Sequence, residues 1–183
     1  HANERCPAAQ HVFIGPDRDS RSIALRTTFG FALSDDGGQN FHWICEEAFG
    51  YAGRPYDPAF VLDGNSRLLA GLIDGLVTAS ADRCDYLRHP DFPAYPPLRP
   101  DAGPALDGSV DVTGDVTGDV TVESIRPWII DLDASRDGQH IVAISSSGAP
   151  GANNRVYRSD DAGSHFAALG NGLGDTLLET VEM

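Results

Sequence analysis

Lysine is missing from this chain of 183 residues, so its 13 basic groups are all arginines, set against 27 acidic side chains for a net charge of −14. So acidic a surface repels phosphates, and no basic stripe offsets it, which argues against nucleic acid as a partner. No apolar run reaches the 18 residues that a membrane-spanning helix needs. Nor does any window keep the i, i+3, i+4 apolar spacing of a long amphipathic helix. Cysteine is scarce: Cys6, Cys45 and Cys84 are an odd number, so one thiol stays free or pairs externally. The six histidines include no His-Glu-x-x-His and no paired Cys/His spacing, and no alternating Asp-x-Asp-x-Asp-Gly loop occurs. Ser145-Ser146-Ser147-Gly148 lacks the Gly-x-Ser-x-Gly frame of a nucleophile elbow and reads as a polar strand end. No cofactor or metal is expected.

What the chain does have is turns. Twenty glycines and twelve prolines separate short apolar runs, the pattern of an all-β fold. One turn occurs twice. Ser34-Asp35-Asp36-Gly37-Gly38-Gln39-Asn40-Phe41 and Ser159-Asp160-Asp161-Ala162-Gly163-Ser164-His165-Phe166 share the frame Ser-Asp-Asp-x-Gly-x-x-Phe, each between two strand-like runs. Ser34, Asp36, Ser159 and Asp161 can hydrogen-bond backbone N–H groups inside a reversal. Gly38 and Gly163 allow positive φ. Phe41 and Phe166 restart the strand and are expected to fold under the turn, each worth roughly 2–3 kcal/mol if fully buried. On this reading the aspartates hold the loop. The alternative makes Asp36 and Asp161 catalytic acids or calcium ligands.

The repeated frame resembles the Asp-box (BNR repeat) of β-propellers, found in sialidases, sortilin-type receptors and xyloglucan-degrading endoglucanases. Trp43-Ile44-Cys45-Glu46 also resembles an element of uncharacterised secreted propellers of myxobacteria and related marine bacteria, where a Gly-Cys pair follows in the next blade; Arg83-Cys84 keeps only the cysteine. The resemblance implies four-stranded antiparallel blades, and the chain holds an incomplete arc of about three. Blades are expected over about 11–47, 58–88 and 127–169, with the opening strand of a fourth at Leu177–Met183. Ser80–Tyr86 reads as a decayed box. Asp63-Gly64-Asn65 and Asp137-Gly138 fall where first hairpins should turn. Between the second and third blades, residues 87–126 form an insert. Leu87–Pro104 holds six prolines, and Asp111–Val122 nearly repeats Asp-Val-Thr-Gly three times. Open blade edges would promote association.

Within that resemblance, Cys45 and Cys84 lie in neighbouring blades and are expected to form a disulfide, leaving Cys6 unpaired. The start at His1-Ala2-Asn3 fits a mature exported chain as well as an excised fragment, so a secreted, periplasmic or cell-surface location is expected. No arrangement of arginines, tyrosines or paired carboxylates singles out a catalytic centre. The expected function is a binding scaffold for protein or glycan, with Phe92 and Tyr95 of the insert as contact residues or loop anchors. The alternative is part of a glycoside hydrolase of sialidase-like or xyloglucanase-like type.

Overall fold

The computed structural model describes residues 8–16, 21–52, 54, 56–80, 85–92, 128–146 and 154–170. Their short apolar runs form twelve strands. Blade I comprises β1 (Ala9–Ile14), β2 (Ile23–Thr27), β3 (Gly30–Ser34) and β4 (His42–Cys45). Blade II comprises β5 (Ala59–Leu62), β6 (Leu68–Leu72), β7 (Gly75–Ala79) and β8 (Tyr86–Arg88). Blade III comprises β9 (Trp128–Ala134), β10 (Ile141–Ser146), β11 (Arg155–Ser159) and β12 (Ala167–Leu169). In each sheet every strand pairs antiparallel with its sequence neighbour, giving three meanders side by side. This is a β-propeller architecture, present as an arc of three blades that does not close among the described residues.

The central blade explains why the arc holds together. The run Leu68-Leu69-Ala70-Gly71-Leu72 is buried at all five positions because β6 is covered on both faces. Leu68, Ala70 and Leu72 pack with Ala24, Phe31 and Leu33 of blade I. Leu69 packs the other way, with Ile129, Ile141 and Ala143 of blade III. Gly71 lets the third blade come close, since a Cβ there would stand 2.6 Å from Ile129 Cγ2.

The first hairpins of blades II and III turn where expected, blade III on Gly138 at φ 64° but blade II by other means. Positive φ falls on Ser66 (58°), not on Gly64. Asp63, fully buried, shapes that turn by accepting the N–H groups of Asn65 and Arg67, both at 2.8 Å, and pairing with Arg67 Nε at 2.6 Å. Gly64 instead serves close approach: its N–H donates to the Gly138 carbonyl at 2.9 Å, and a Cβ on Gly64 would meet Gln139 Nε2 at 2.4 Å.

A second difference lies after the first Ser-Asp-Asp turn. The strand that follows Phe41 is β4, and it stops at Cys45, where Glu46 opens a one-turn helix, α1 (Glu46–Phe49), closed by Gly50 at φ 78°. Phe49 thereby reaches the blade I–II core, stacking on Phe31 at 4.9 Å and on Tyr86 at 4.2 Å. The opening strand of a fourth blade, and nearly all of the insert, lie outside the described residues.

Candidate functional site

The two Ser-Asp-Asp turns lie at one end of the blades and match bond for bond. Ser34 Oγ donates to Asp36 Oδ1 and Ser159 Oγ to Asp161 Oδ1, both at 2.8 Å. The same hydroxyls accept the N–H groups of Gly38 and Gly163, both at 2.9 Å. Asp36 Oδ1 also accepts from Gln39 N and Asn40 N, and Asp161 Oδ1 from Ser164 N and His165 N. Gly38 and Gly163 sit at φ 87° and 73°, and Ala162 holds the left-handed conformation (φ 56°) that Gly37 holds in the first turn.

These bonds set the charge of both carboxylates. The N–H and side-chain amide of Asn40 hold Asp36 far below the usual carboxylate range. Asp161 is lowered to about 2, chiefly by the His165 side chain, and His165 is in turn raised above its ordinary value. Each aspartate is thus ionised at neutral pH with its oxygens committed to its own turn. A general acid needs a proton to give, which neither holds at neutral pH.

The plugging aromatics differ. Phe166 is buried against His89 and Phe92 of blade II, with ring centroids 5.2 and 5.3 Å away. Phe41 lies beside its own turn, its ring atoms 3.8 and 3.9 Å from where a Cβ on Gly38 would stand, yet it stays 43% exposed, because no described blade lies on that side of blade I. His89 and Asp91, which nothing in the sequence singles out, fasten the second turn. His89 Nε2 donates to the Gly163 carbonyl at 3.0 Å, and Asp91 Oδ2 accepts from Phe166 N at 2.7 Å. The adjoining groove, about 340 Å3, is lined by Arg67, Thr78, Leu87 and His89. Both arginines that line it are engaged, Arg67 with Asp63 and the Ala162 carbonyl and Arg88 with Asp74, so little free polar chemistry remains there.

Of the decayed turn, Ser80, Asp85 and Tyr86 are described. Ser80 N donates to the Asp85 carbonyl at 2.7 Å, and Ser80 Oγ accepts from Asp85 N at 3.0 Å, so the serine keeps a turn-closing role. Cys45 is a half-buried free thiol. Cys6, Cys84 and Tyr95 lie outside the described residues. Of its two expected roles Phe92 takes the anchoring one: it is buried at 2% exposure and packs edge-on to Tyr157 at 4.8 Å, at the seam between blades II and III.

The opposite end of the blades carries a different assembly. The connection after α1 lays Tyr51 and Tyr56 across blade II towards the first residue of β9. Ring centroids run from Tyr51 to Tyr56 at 6.2 Å and from Tyr56 to Trp128 at 5.7 Å. Trp128 is 36% exposed, and Tyr56 Oη accepts from Ile73 N at 3.4 Å. The next residue, Asp74, takes both a carboxylate and a carbonyl bond from the Arg88 guanidinium, the latter at 2.8 Å, with both side chains about one third exposed.

Further along this end, Arg26 Nη1 donates to the Pro58 carbonyl at 3.0 Å and Gln10 Nε2 to Asp57 Oδ2 at 2.8 Å. Burial, then the nearby Glu46 and Asp57 charges, pushes the Tyr51 phenol well above its usual range; burial raises Tyr56 as well. Both phenols are therefore neutral at physiological pH. Tyr51 Oη and Arg26 Nε are buried with no hydrogen-bond partner among the described residues. Among the described residues, no group of three His, Cys, Asp or Glu side chains could hold a metal ion, and no helix is long and apolar enough to cross a membrane.

Neither a protein-family model nor a curated protein matches the chain. Solved structures of similar shape include an ancestral GH74 enzyme, at 15% identity and a TM-score of 0.48 over 92% of this chain and 21% of that one. Another is the GH74 enzyme of Niastella koreensis, at 18% identity and a TM-score of 0.47, covering 90% of this chain and 23% of the enzyme. A third, the GH74 xyloglucanase of Xanthomonas campestris, has 16% identity and a TM-score of 0.42, covering 82% and 19%. The chain spans about a fifth of the length of these proteins.

Proposed function

We propose that this chain is part of an Asp-box β-propeller, secreted or displayed at the cell surface, that binds glycan on the face opposite its Ser-Asp-Asp turns. The observation that carries this reading is the ledge made by Tyr56 and Trp128 with Asp74 and Arg88 beside it. Aromatic faces stack on the C–H face of a sugar ring, while a carboxylate and a guanidinium satisfy its hydroxyls. Trp128 and Arg88 lie on strands and Tyr56 and Asp74 on the connections beside them, so a rigid scaffold positions both kinds of group.

A hydrolase reading would need two carboxylates free to flank a glycosidic bond. Asp74 is held by Arg88, Asp57 accepts from Gln10, and Glu46 is buried at 8% exposure. Binding without catalysis is the reading these partners favour. An array of neutral and acidic oligosaccharides probed with the protein tests it: retention that Trp128→Ala abolishes supports the ledge, and retention unchanged in Trp128→Ala removes it.

A further inference from the structure

The two rings of the ledge cannot play the same part. Tyr56 and Trp128 meet edge to face, their planes 65° apart and their centroids 5.7 Å apart. A single flat sugar ring therefore lies along one of them and not along both. Trp128 is the exposed one, at the start of β9, whereas Tyr56 is half-buried and its polar end points into the connection that carries Asp74.

The hydroxyl of Tyr56 is half used. Its oxygen accepts from Ile73 N at 3.4 Å, and its hydrogen has no acceptor among the described residues. Burial, with the Asp74 charge adding to it, raises the phenol above its ordinary value, so that hydrogen is held at neutral pH. Asp74, the residue after Ile73, is half used as well. Arg88 Nη2 takes Oδ2 and Nη1 takes the Asp74 carbonyl, while Oδ1 has no donor among the described residues. The turn itself is pinned, because Gly75 holds φ 123° and a Cβ there would stand 3.0 Å from the Phe92 carbonyl.

We propose that Tyr56 Oη and Asp74 Oδ1 together read one hydroxyl of the bound sugar while Trp128 carries the sugar ring. Tyr56 thus acts through its hydroxyl and not through its face. The inference rests on the glycan-binding reading above and adds which group is recognised. Tyr56 gives a hydrogen and Asp74 takes one, and a sugar hydroxyl does both through a single oxygen. An ionised carboxylate or a sulfate only accepts, so it would set a second negative acceptor against Asp74. An O-methyl group only accepts too. Arg54, exposed two residues before Tyr56, offers an acidic sugar a different partner, so recognition through charge is a separate outcome of the test.

The array of neutral and acidic oligosaccharides, carried in native and permethylated form, is probed with the parent protein, Trp128→Ala, Tyr56→Phe and Asp74→Asn. The parent should bind permethylated sugars about tenfold less tightly than native ones, or weaker still, a comparison that needs no variant. Tyr56→Phe keeps the ring and should weaken native sugars by about tenfold, the size of one lost hydrogen bond. Asp74→Asn keeps its oxygen towards Arg88 and turns a donor towards the ligand, so the gap between native and permethylated sugars should narrow. Binding unchanged in Tyr56→Phe but abolished in Trp128→Ala overturns this inference and leaves the ledge standing. So does equal binding of native and permethylated sugars, or a preference for acidic sugars that Arg54→Gln removes. No retention by the parent, or retention unchanged in Trp128→Ala, removes the ledge and this inference with it.

Discussion

Asn40 and His165 occupy the same place in two turns of different blades: Asn40 Nδ2 and His165 Nδ1 each stand 2.7 Å from the outer oxygen of their turn's aspartate. One of these bonds is indifferent to pH near neutrality and the other is not. Because Asp161 raises His165, the charged pair favours the folded state most fully below the unfolded histidine value, about 6.5, and this contribution is lost as pH rises through the higher folded value. Exposure keeps the effect small. Proton NMR should show the His165 ring titrating above about 6.5 and returning towards it in Asp161→Asn. His165→Asn, which copies the first turn, should flatten the pH dependence of melting above about pH 6.5.

At the acid end the sign reverses. Asp161 is lowered to about 2, so its contribution is present above the unfolded carboxylate value, about 3.8, and fades as pH falls through the folded one. Thermal melts from pH 5 downward should show Asp161→Asn flatter than the parent protein. A parallel loss in both would place the acid-sensitive groups elsewhere.

The serines are the sharper test of the turns. Ser34 and Ser159 are both 1% exposed, and each accepts a glycine N–H at 2.9 Å. Replacing either by alanine leaves a backbone donor without its partner, a loss of about 1–3 kcal/mol. Urea unfolding measures it, and glycan affinity of the folded fraction should not move. Lost binding with unchanged stability would instead make these turns part of the binding site.

Phe41 and Phe166 separate the contribution of a turn from that of the neighbouring blade. Phe166→Ala empties the site between His89 and Phe92 and should cost about 3–5 kcal/mol. Phe41→Ala, in a turn of identical bonding, should cost clearly less, since Phe41 already meets solvent. Equal losses would mean that the rings act within their own turns.

Cys45 carries a free thiol in the structure. The Cys45–Cys84 bridge, with Cys6 unpaired, is proposed for the exported protein, where it would contribute roughly 3–4 kcal/mol through the unfolded chain. Non-reducing peptide mapping of secreted material should return the Cys45–Cys84 pair. Three alkylatable thiols, or a bridge to Cys6, would contradict it.

The repeated turn was legible in the sequence because its bonding is local: five residues supply both donors and acceptors, so residue type and spacing suffice. Strand positions followed from turn punctuation around short apolar runs. The helix at Glu46–Phe49 was not legible, since four residues carry no periodicity and Gly50 alone marks its end. Contacts between blades escaped for the same physical reason. His89 meets Gly163, and Tyr56 meets Trp128, only once separate sheets have packed, and nothing in either residue's neighbourhood announces the partner. For Phe92 the neighbouring prolines leave surface contact and anchoring equally open, and blade III decides for anchoring. Phe41 and Phe166 share one motif, and only the presence or absence of an adjoining blade distinguishes their burial.

The most direct measurement is glycan binding by calorimetry, with a ligand taken from the oligosaccharide array, on the parent protein, Tyr56→Ala, Trp128→Ala and Asp36→Ala. Binding on the face opposite the turns predicts that both aromatic replacements abolish or strongly weaken affinity, while Asp36→Ala lowers the melting temperature and leaves affinity intact. Full affinity in Tyr56→Ala and Trp128→Ala, together with its loss in Asp36→Ala, would contradict the account and move the site to the Ser-Asp-Asp end.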